Sequence, residues 1–425
     1  MDINDGGFAM ILQNQEVIHV LLAASILLAF ARLFGWIMEK LGSPRVIGEI
    51  GAGILLGPTL LEWLLPDLWR FIFTGVLEED LLLSVLYWLG FSLLMFISGV
   101  ELKLEWKKEY SRLTATLVLL TTTIPFLTGI IFTDLFHWEV FFGEAKNPLA
   151  FSLVMGIAFA VISIPVISKI FFDLGISHTS FAQINLTIAG IHDLFLWVIL
   201  AFATALVHEG YGSYSLLTPL ITTTGFILSF AWFLPNLISR FRWSLASEEN
   251  SLSSTMILLW VSVSLAGLLS IDMMFGALAA GLFVRRVENA SVKTGKMVEL
   301  LKKVSLSSFI PLYFSLVGFQ LDLLHHFPLF SFLLILFLAT LIQGSLVWLG
   351  AKWMGQTPLT SLNFAAALNA RGGPGIVLAT VAYQAKIINQ DLFAIFVMLS
   401  LVTSWIAGTW LRYALHRKWS LMKEE

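Results

Sequence analysis

The chain has 425 residues, of which 58% are hydrophobic and only 12% charged. A water-soluble domain carries about twice that charged fraction, so most of this chain faces lipid or itself, and a soluble enzyme or nucleic-acid binder is excluded. Cysteine is absent, which removes disulfides, thiolate metal sites and cysteine nucleophiles. With a net charge of only −3, the positions of the charges say more than their sum.

Apolar runs long enough to span a bilayer, bounded by charge or by Gly/Pro punctuation, recur along the whole chain. They predict an all-α polytopic membrane protein with 13 helices, near 17–38, 46–65, 81–101, 113–134, 149–171, 181–206, 217–238, 253–270, 273–285, 309–322, 330–351, 359–385 and 392–412. The N-terminal stretch lacks the basic flank and small-residue cleavage site of a signal peptide, so the first helix is read as retained. No long soluble domain is expected after the last one.

Lysine and arginine test this spacing independently. With the N-terminus outside, the cytoplasmic segments hold Lys40 and Arg45, then Lys103, Lys107, Lys108 and Arg112. They also hold Arg240 and Arg242, the cluster from Arg285 to Lys303, Lys352 and the basic tail, whereas the opposite side keeps only Arg70, Lys146 and Lys386. Cytoplasmic loops are enriched in Lys and Arg, so the C-terminus is expected in the cytoplasm. The short tail and compact loops suggest a bacterial inner membrane.

Two spans look unfit to be continuous helices. The fifth carries Pro165 at its centre, and the twelfth carries Arg371 followed by Gly372, Gly373, Pro374 and Gly375. Proline inside a helix removes a backbone hydrogen bond and clashes with the preceding turn. A packing kink explains either break alone. If helices 1–6 and 8–13 are repeats joined by helix 7, however, the fifth and twelfth spans correspond, and the odd offset gives the repeats opposite orientation. Paired interrupted helices in inverted repeats point to a transporter's binding site.

Few ionisable residues fall well inside the spans: Glu49, Lys169, His192, Asp193 and Arg371, with Glu101 near a helix end. An aspartate at mid-bilayer costs roughly 2.5–3.5 kcal/mol on insertion scales, so Asp193 needs a reason. A proton and a metal cation compete for the same carboxylate, and that competition is antiporter chemistry reduced to one residue; the alternative is structural pairing with a buried base. His192 either titrates or donates a structural hydrogen bond, and the structural role is favoured. Arg371 stays charged at physiological pH; Glu49 and Glu101 are its candidate buried partners, and a fixed positive charge there would also offset the exposed helix ends at the crossover. Lys169 is expected to snorkel.

Five segments, taken in order, resemble the monovalent cation:proton antiporter superfamily. They are "LGSPRVIGEIGAGILLGP" in helix 2, "LLMFISGVELKL" in helix 3, "FGALAAGLFVRR" in helix 9, "LYFSLVGFQLDL" in helix 10 and "LNARGGPGIVLATVAYQAKIIN" in helix 12. The resemblance implies a sodium/proton antiporter fold with crossed discontinuous helices and no cofactor. Residues 17–101 and 253–322 would form a scaffold that dimerises, 113–206 and 330–412 an ion-binding core, and 217–238 a linker. It also implies exchange of Na⁺ or K⁺ for H⁺ by an elevator-like movement of the core. Asp193 matches the second acid of the family's Asp-Asp or Asn-Asp pair, and Ser163 lies where members place a hydroxyl beside the ion. The chain departs from the family pattern twice. His192 stands in place of Asp or Asn, and Gln343 stands about where electrogenic members carry lysine, so electroneutral exchange is expected.

A membrane sensor that does not transport, or a channel on the same scaffold, is the competing class. Intramembrane catalysis fares worse, because no HExxH pair or GxSxG elbow is present. A resident metal is not expected either, since the histidines are scattered apart from the pair His325–His326.

Overall fold

The computed structural model describes residues 14–73, 81–101, 108–136, 138–207, 217–234, 248–269, 271–288, 292–324 and 327–423. Its helices are, in chain order, α1 (Asn14–Lys40), α2 (Arg45–Leu56), α3 (Pro66–Phe73), α4 (Leu81–Glu101), α5 (Ser111–Phe136) and α6 (Pro148–Ala160). Then come α7 (Ile164–Asp173), α8 (Ser180–Ala205), α9 (Leu217–Leu228), α10 (Glu248–Leu268), α11 (Met273–Glu288) and α12 (Val292–Val304). The last are α13 (Ile310–Phe319), α14 (Leu329–Trp353), α15 (Pro358–Ala367), α16 (Gly372–Gln384) and α17 (Gln390–His416). Among the described residues there is no strand, only an isolated antiparallel bridge between Phe142 and Ile388. Lys103, Lys107, Arg240, Arg242 and the pair His325–His326 lie outside the described residues.

By length and composition, seven helical stretches among the described residues can cross a membrane: α1, α4, α5, α8, Val298–Phe319, α14 and α17. Their outward faces are apolar: Leu119, Ile131 and Leu135 on α5, and Phe330, Phe337 and Leu349 on α14, are all exposed. A helix with an unpaired apolar face needs lipid or a partner to cover it.

Local chemistry fixes where the helices start. Asn147, Thr179, Thr357 and Asn389 cap α6, α8, α15 and α17, each accepting a hydrogen bond from the backbone N–H three residues on, at 3.0–3.2 Å. Pro148 and Pro358 follow two of these caps, where the missing N–H has no helical partner to lose.

The fifth and twelfth spans are both interrupted, at 161–163 and 368–371. Proline is not the breaker at its own position. Pro165 lies in the first turn of α7, just after the Ser163 cap, whereas Pro125 sits inside an uninterrupted α5. The basic cluster expected as a loop instead contains α12, which runs through a π-helical turn at Ser305–Phe309 into α13. Val298 and Leu301, three apart on its apolar face, are buried. The small helix α3 also goes beyond the predicted elements. Its Phe73 is buried, with its ring 4.7 Å from that of Phe319.

The helices pack in two groups. α1, α2, α4, α10, α11 and α13 contact one another, as do α5–α8 with α14–α17, while α9 touches α8 and α11. In the first group α2 and α13 approach closely: a methyl at Gly53 would lie 1.9 Å from the Ser315 carbonyl oxygen. Small residues permit this contact, the usual basis of helix packing in lipid. In the second group, the loop before α6 is tied to the α16–α17 turn by Gly143 N–H to Ile387 O and Asn389 N–H to Phe141 O, both 3.0 Å. Beside this join, the Lys386 ammonium holds the exposed Glu144 carboxyl below its usual range.

Candidate functional site

The two breaks meet. The Ser163 backbone N–H donates to the Ala370 carbonyl at 2.7 Å, so the non-helical turns of the fifth and twelfth spans cross in direct contact. Four half-helices end there: α6 and α15 with their C-termini, α7 and α16 with their N-termini. Helix ends carry unsatisfied backbone groups and partial charges. In a bilayer these must be met by protein.

Gly372 makes the crossing possible. Its φ is +42°, and a methyl there would lie 2.3 Å from Val166 Cγ2 and 2.7 Å from Ser163 Oγ. Gly373 has no such crowding and instead lines the adjoining cavity. Ser163 is fully buried. Its hydroxyl caps α7 by accepting from Val166 N–H at 3.3 Å, which leaves the oxygen's second lone pair for another ligand.

The C-terminal carbonyls are served by two buried donors. Arg371 Nε and Nη2 donate to the carbonyls of Ala158 (3.2 Å) and Phe159 (3.3 Å) in the last turn of α6. Its Nη1 donates to the Asn369 side chain (2.8 Å) and carbonyl (3.2 Å). Gln343 Nε2 on α14 lies between the carbonyls of Leu368 (3.0 Å) and Ala160 (3.4 Å), one from each interrupted span. The expected pairing of Arg371 with Glu49 or Glu101 is therefore corrected. Among the described residues no carboxylate pairs with Arg371, because the orphan carbonyls of the half-helices take up its fork of donors. Glu101 is ion-paired with Lys302 instead. Lys169 pairs with Glu39 at 3.1 Å rather than simply snorkelling.

His192 and Asp193 project differently from α8, as expected for neighbours about 100° apart on a helix. His192 is fully buried, with Nε2 2.9 Å from the Thr121 hydroxyl on α5. Thr121 gives its only hydrogen to the Leu117 carbonyl at 2.6 Å. The histidine must therefore donate, which fixes the Nε2–H tautomer and leaves the Nδ1 lone pair buried without a partner among the described residues. Asp193 is 6% exposed, and among the described residues it has no hydrogen-bond or ion-pair partner. Buried charges are ordinarily paired or coordinated, so this carboxylate has much to gain from a ligand.

A cavity of about 550 Å³ separates the two packing groups beside the crossing. Val166, Gly373 and Pro374 line it, as does Trp197, one helical turn beyond Asp193 on α8. Its other wall includes Glu49, and Glu39, Arg45, Lys169, Glu101 and Lys302 surround it. Thr121, Asn369 and Thr403, whose hydroxyl accepts from Arg371 N–H at 3.3 Å, go beyond the residues singled out from sequence. The signal for Thr121 was a run of three threonines inside an apolar helix, and that for Asn369 was its place two residues before Arg371.

A profile of the family described as sodium/hydrogen exchanger, transmembrane, matches residues 26–417. The chain is 25% identical over 407 residues to the Na(+)/H(+) antiporter NhaS4 of Synechocystis, covering 93% of this chain and 97% of that one. It is 26% identical over 410 residues to K(+)/H(+) antiporter 1 of Saccharomyces cerevisiae, covering 91% of this chain but 45% of the yeast protein. The chain thus spans about half the length of that relative, and likewise of Cation/H(+) antiporter 18 of Arabidopsis thaliana (47%). Its fold matches that of the sodium proton antiporter MjNhaP1 of Methanocaldococcus jannaschii with a TM-score of 0.62 at 17% identity, covering 93% and 97% of the two chains.

Proposed function

The chain belongs to the sodium/hydrogen exchanger family, and from that premise we propose that it exchanges a monovalent cation, Na⁺ or K⁺, for H⁺, with Asp193 as the shared site. One observation carries this reading: Asp193 is a buried carboxylate that has no partner among the described residues, in the helix packed against the crossed half-helices. Either a proton or a cation supplies the missing partner, and the two exclude each other. Ser163 offers a second oxygen near the crossing, while His192, held by Thr121, fixes the rotation of α8 and does not carry the exchanged charge.

The reaction is electroneutral on this reading. Gln343 holds the helix ends as a neutral amide with no proton to trade, and Arg371 is a fixed charge committed to carbonyls. Only Asp193 changes state, so one proton leaves for each cation bound.

The two packing groups support a reading of alternating access. The scaffold, 17–101 and 253–322, dimerises and stays fixed, and the core, 113–206 and 330–412, slides past it with 217–238 as the link. Counting α6–α7, α12–α13 and α15–α16 each as one crossing, and α3 as none, makes 13 passes among the described residues, with the N-terminus outside and the C-terminus in the cytoplasm of a bacterial inner membrane. The cavity then opens toward the cytoplasm.

The test is cation-driven dequenching of a pH dye in proteoliposomes. Wild type discharges the gradient on addition of Na⁺ or K⁺, and Asp193→Asn does not. The apparent KM for the cation rises as pH falls, because the proton competes for one carboxylate. No transport current is expected under a potassium-diffusion potential, and a clear current would sink the one-for-one stoichiometry. If folded wild type moves no proton for any alkali cation, the sensor reading replaces this one.

A further inference from the structure

Asp193 lies one helical turn from Trp197, which lines the cavity, and a second carboxylate lines the same cavity. Glu49 on α2 is 6% exposed, lines the cavity, and among the described residues has neither a hydrogen-bond nor an ion-pair partner. Arg32 and Arg45 act on it only through space. Glu39 and Glu101 at the same cavity are both engaged, Glu39 by Arg45 and Lys169 and Glu101 by Lys302. Burying a carboxylate without a direct partner is costly. The backbone makes room for this one at Gly35 of α1, where a methyl would come within 3.3 Å of Glu49 Cγ and 3.5 Å of Oε1.

We propose that Glu49 is a second cation site, an entry carboxylate that a monovalent cation occupies in the cavity before passing to Asp193. The charges around the cavity argue for it. Three bases, Arg45, Lys169 and Lys302, face two paired acids, Glu39 and Glu101. Without Glu49 the cavity would carry net positive charge and repel the ion it must admit. Clefts walled by low-dielectric groups focus such fields and raise or lower the local ion concentration accordingly. The far wall fits the route: Val166, Gly373 and Trp197 lead from the cavity toward the crossing and the Asp193 turn of α8.

The inference rests on the exchange reading above, and its test separates the two. Exchange is measured in proteoliposomes against graded NaCl and KCl for wild type, Asp193→Asn, Glu49→Gln, Glu49→Asp and Arg45→Gln. Glu49→Gln is expected to raise the apparent KM for the cation about tenfold with maximal rate within about twofold, as loss of one nearby charge implies. Glu49→Asp restores most of the affinity. Arg45→Gln, at a surface position, lowers KM by removing the base one turn from Glu49, and it decides the matter should Glu49→Gln fail to fold. Unchanged KM in both the Gln variants overturns the entry site while leaving the Asp193 reading intact. So does a folded Glu49→Gln protein with no exchange at any cation concentration, since an entry site is not obligatory. Inactive wild type fails the lower reading first.

Discussion

Arg371 shows at the level of a single residue how a buried cation can be held without an anion. Its guanidinium meets three carbonyls and an amide oxygen, four acceptors that would otherwise be short of donors at the ends of half-helices. Charge-assisted hydrogen bonds of this kind are worth about 1.5–3 kcal/mol each. Arg371→Ala is therefore expected to cost about 3 kcal/mol or more, read as a large fall in melting temperature in detergent. Arg371→Lys recovers only part, because an ammonium cannot span the same fork. Thr121 is the complementary case. Thr121→Val strands the buried His192 Nε2–H at a cost of about 1–3 kcal/mol, and Thr121→Ser restores it. If Thr121→Val melts like wild type, His192 is not held by that bond.

At the level of the element, the crossing is a backbone structure, and side-chain volume is its enemy. Gly372→Ala forces a methyl into Val166 and Ser163 at a left-handed φ. The conformation alone costs about 1–2 kcal/mol and the overlap typically 1–3 kcal/mol more, so reduced yield of folded protein is expected in size-exclusion profiles. Gln343 is more forgiving. Gln343→Lys keeps a donor toward Ala160 and Leu368 and is expected to fold, whereas Gln343→Leu leaves both carbonyls unmet. The same pair tests coupling: Gln343→Lys adds a titratable charge at the crossing, and appearance of a transport current in that variant alone supports the neutral amide as the reason for electroneutrality.

The two packing groups of the whole molecule are joined by few polar links. Lys169–Glu39 and the bonds from Arg412 to the carbonyls of Leu41 and Gly42 lie at one end, Gln390 to Gln320 at 3.3 Å at the other, and Tyr313–Thr380 at 3.1 Å between them. Sliding of one group past the other must exchange all of these. The chain contains no cysteine, so a pair introduced at Glu39 and Lys169 and bridged by a short bis-methanethiosulfonate, which forms reducible disulfides, is specific. Exchange is expected to stop on crosslinking and return on reduction; transport that continues through the bridge excludes sliding at this seam.

Much of this was legible in the letters. Lipid solvent, helical class and the oddity of Asp193 followed from composition and hydropathy, because a bilayer punishes unpaired polarity at every position and leaves few choices. The two interruptions were legible too, from Pro165 and from Gly372–Gly375. Where the chain breaks was not, since proline merely starts α7 and the break is set by contact between Ser163 and Ala370. Nor were the particular acceptors of Arg371, which apart from the Asn369 side chain are main-chain carbonyls that every residue carries and no sequence distinguishes. The helical nature of 292–304 and the isolation of Glu49 likewise depend on what lies across the packing, α10 and α11 in one case and an open cavity in the other. The sequence by itself determined which residues could not rest in lipid alone, and only the tertiary structure decided which of them found partners, because partnership is a matter of distances between segments far apart in the chain.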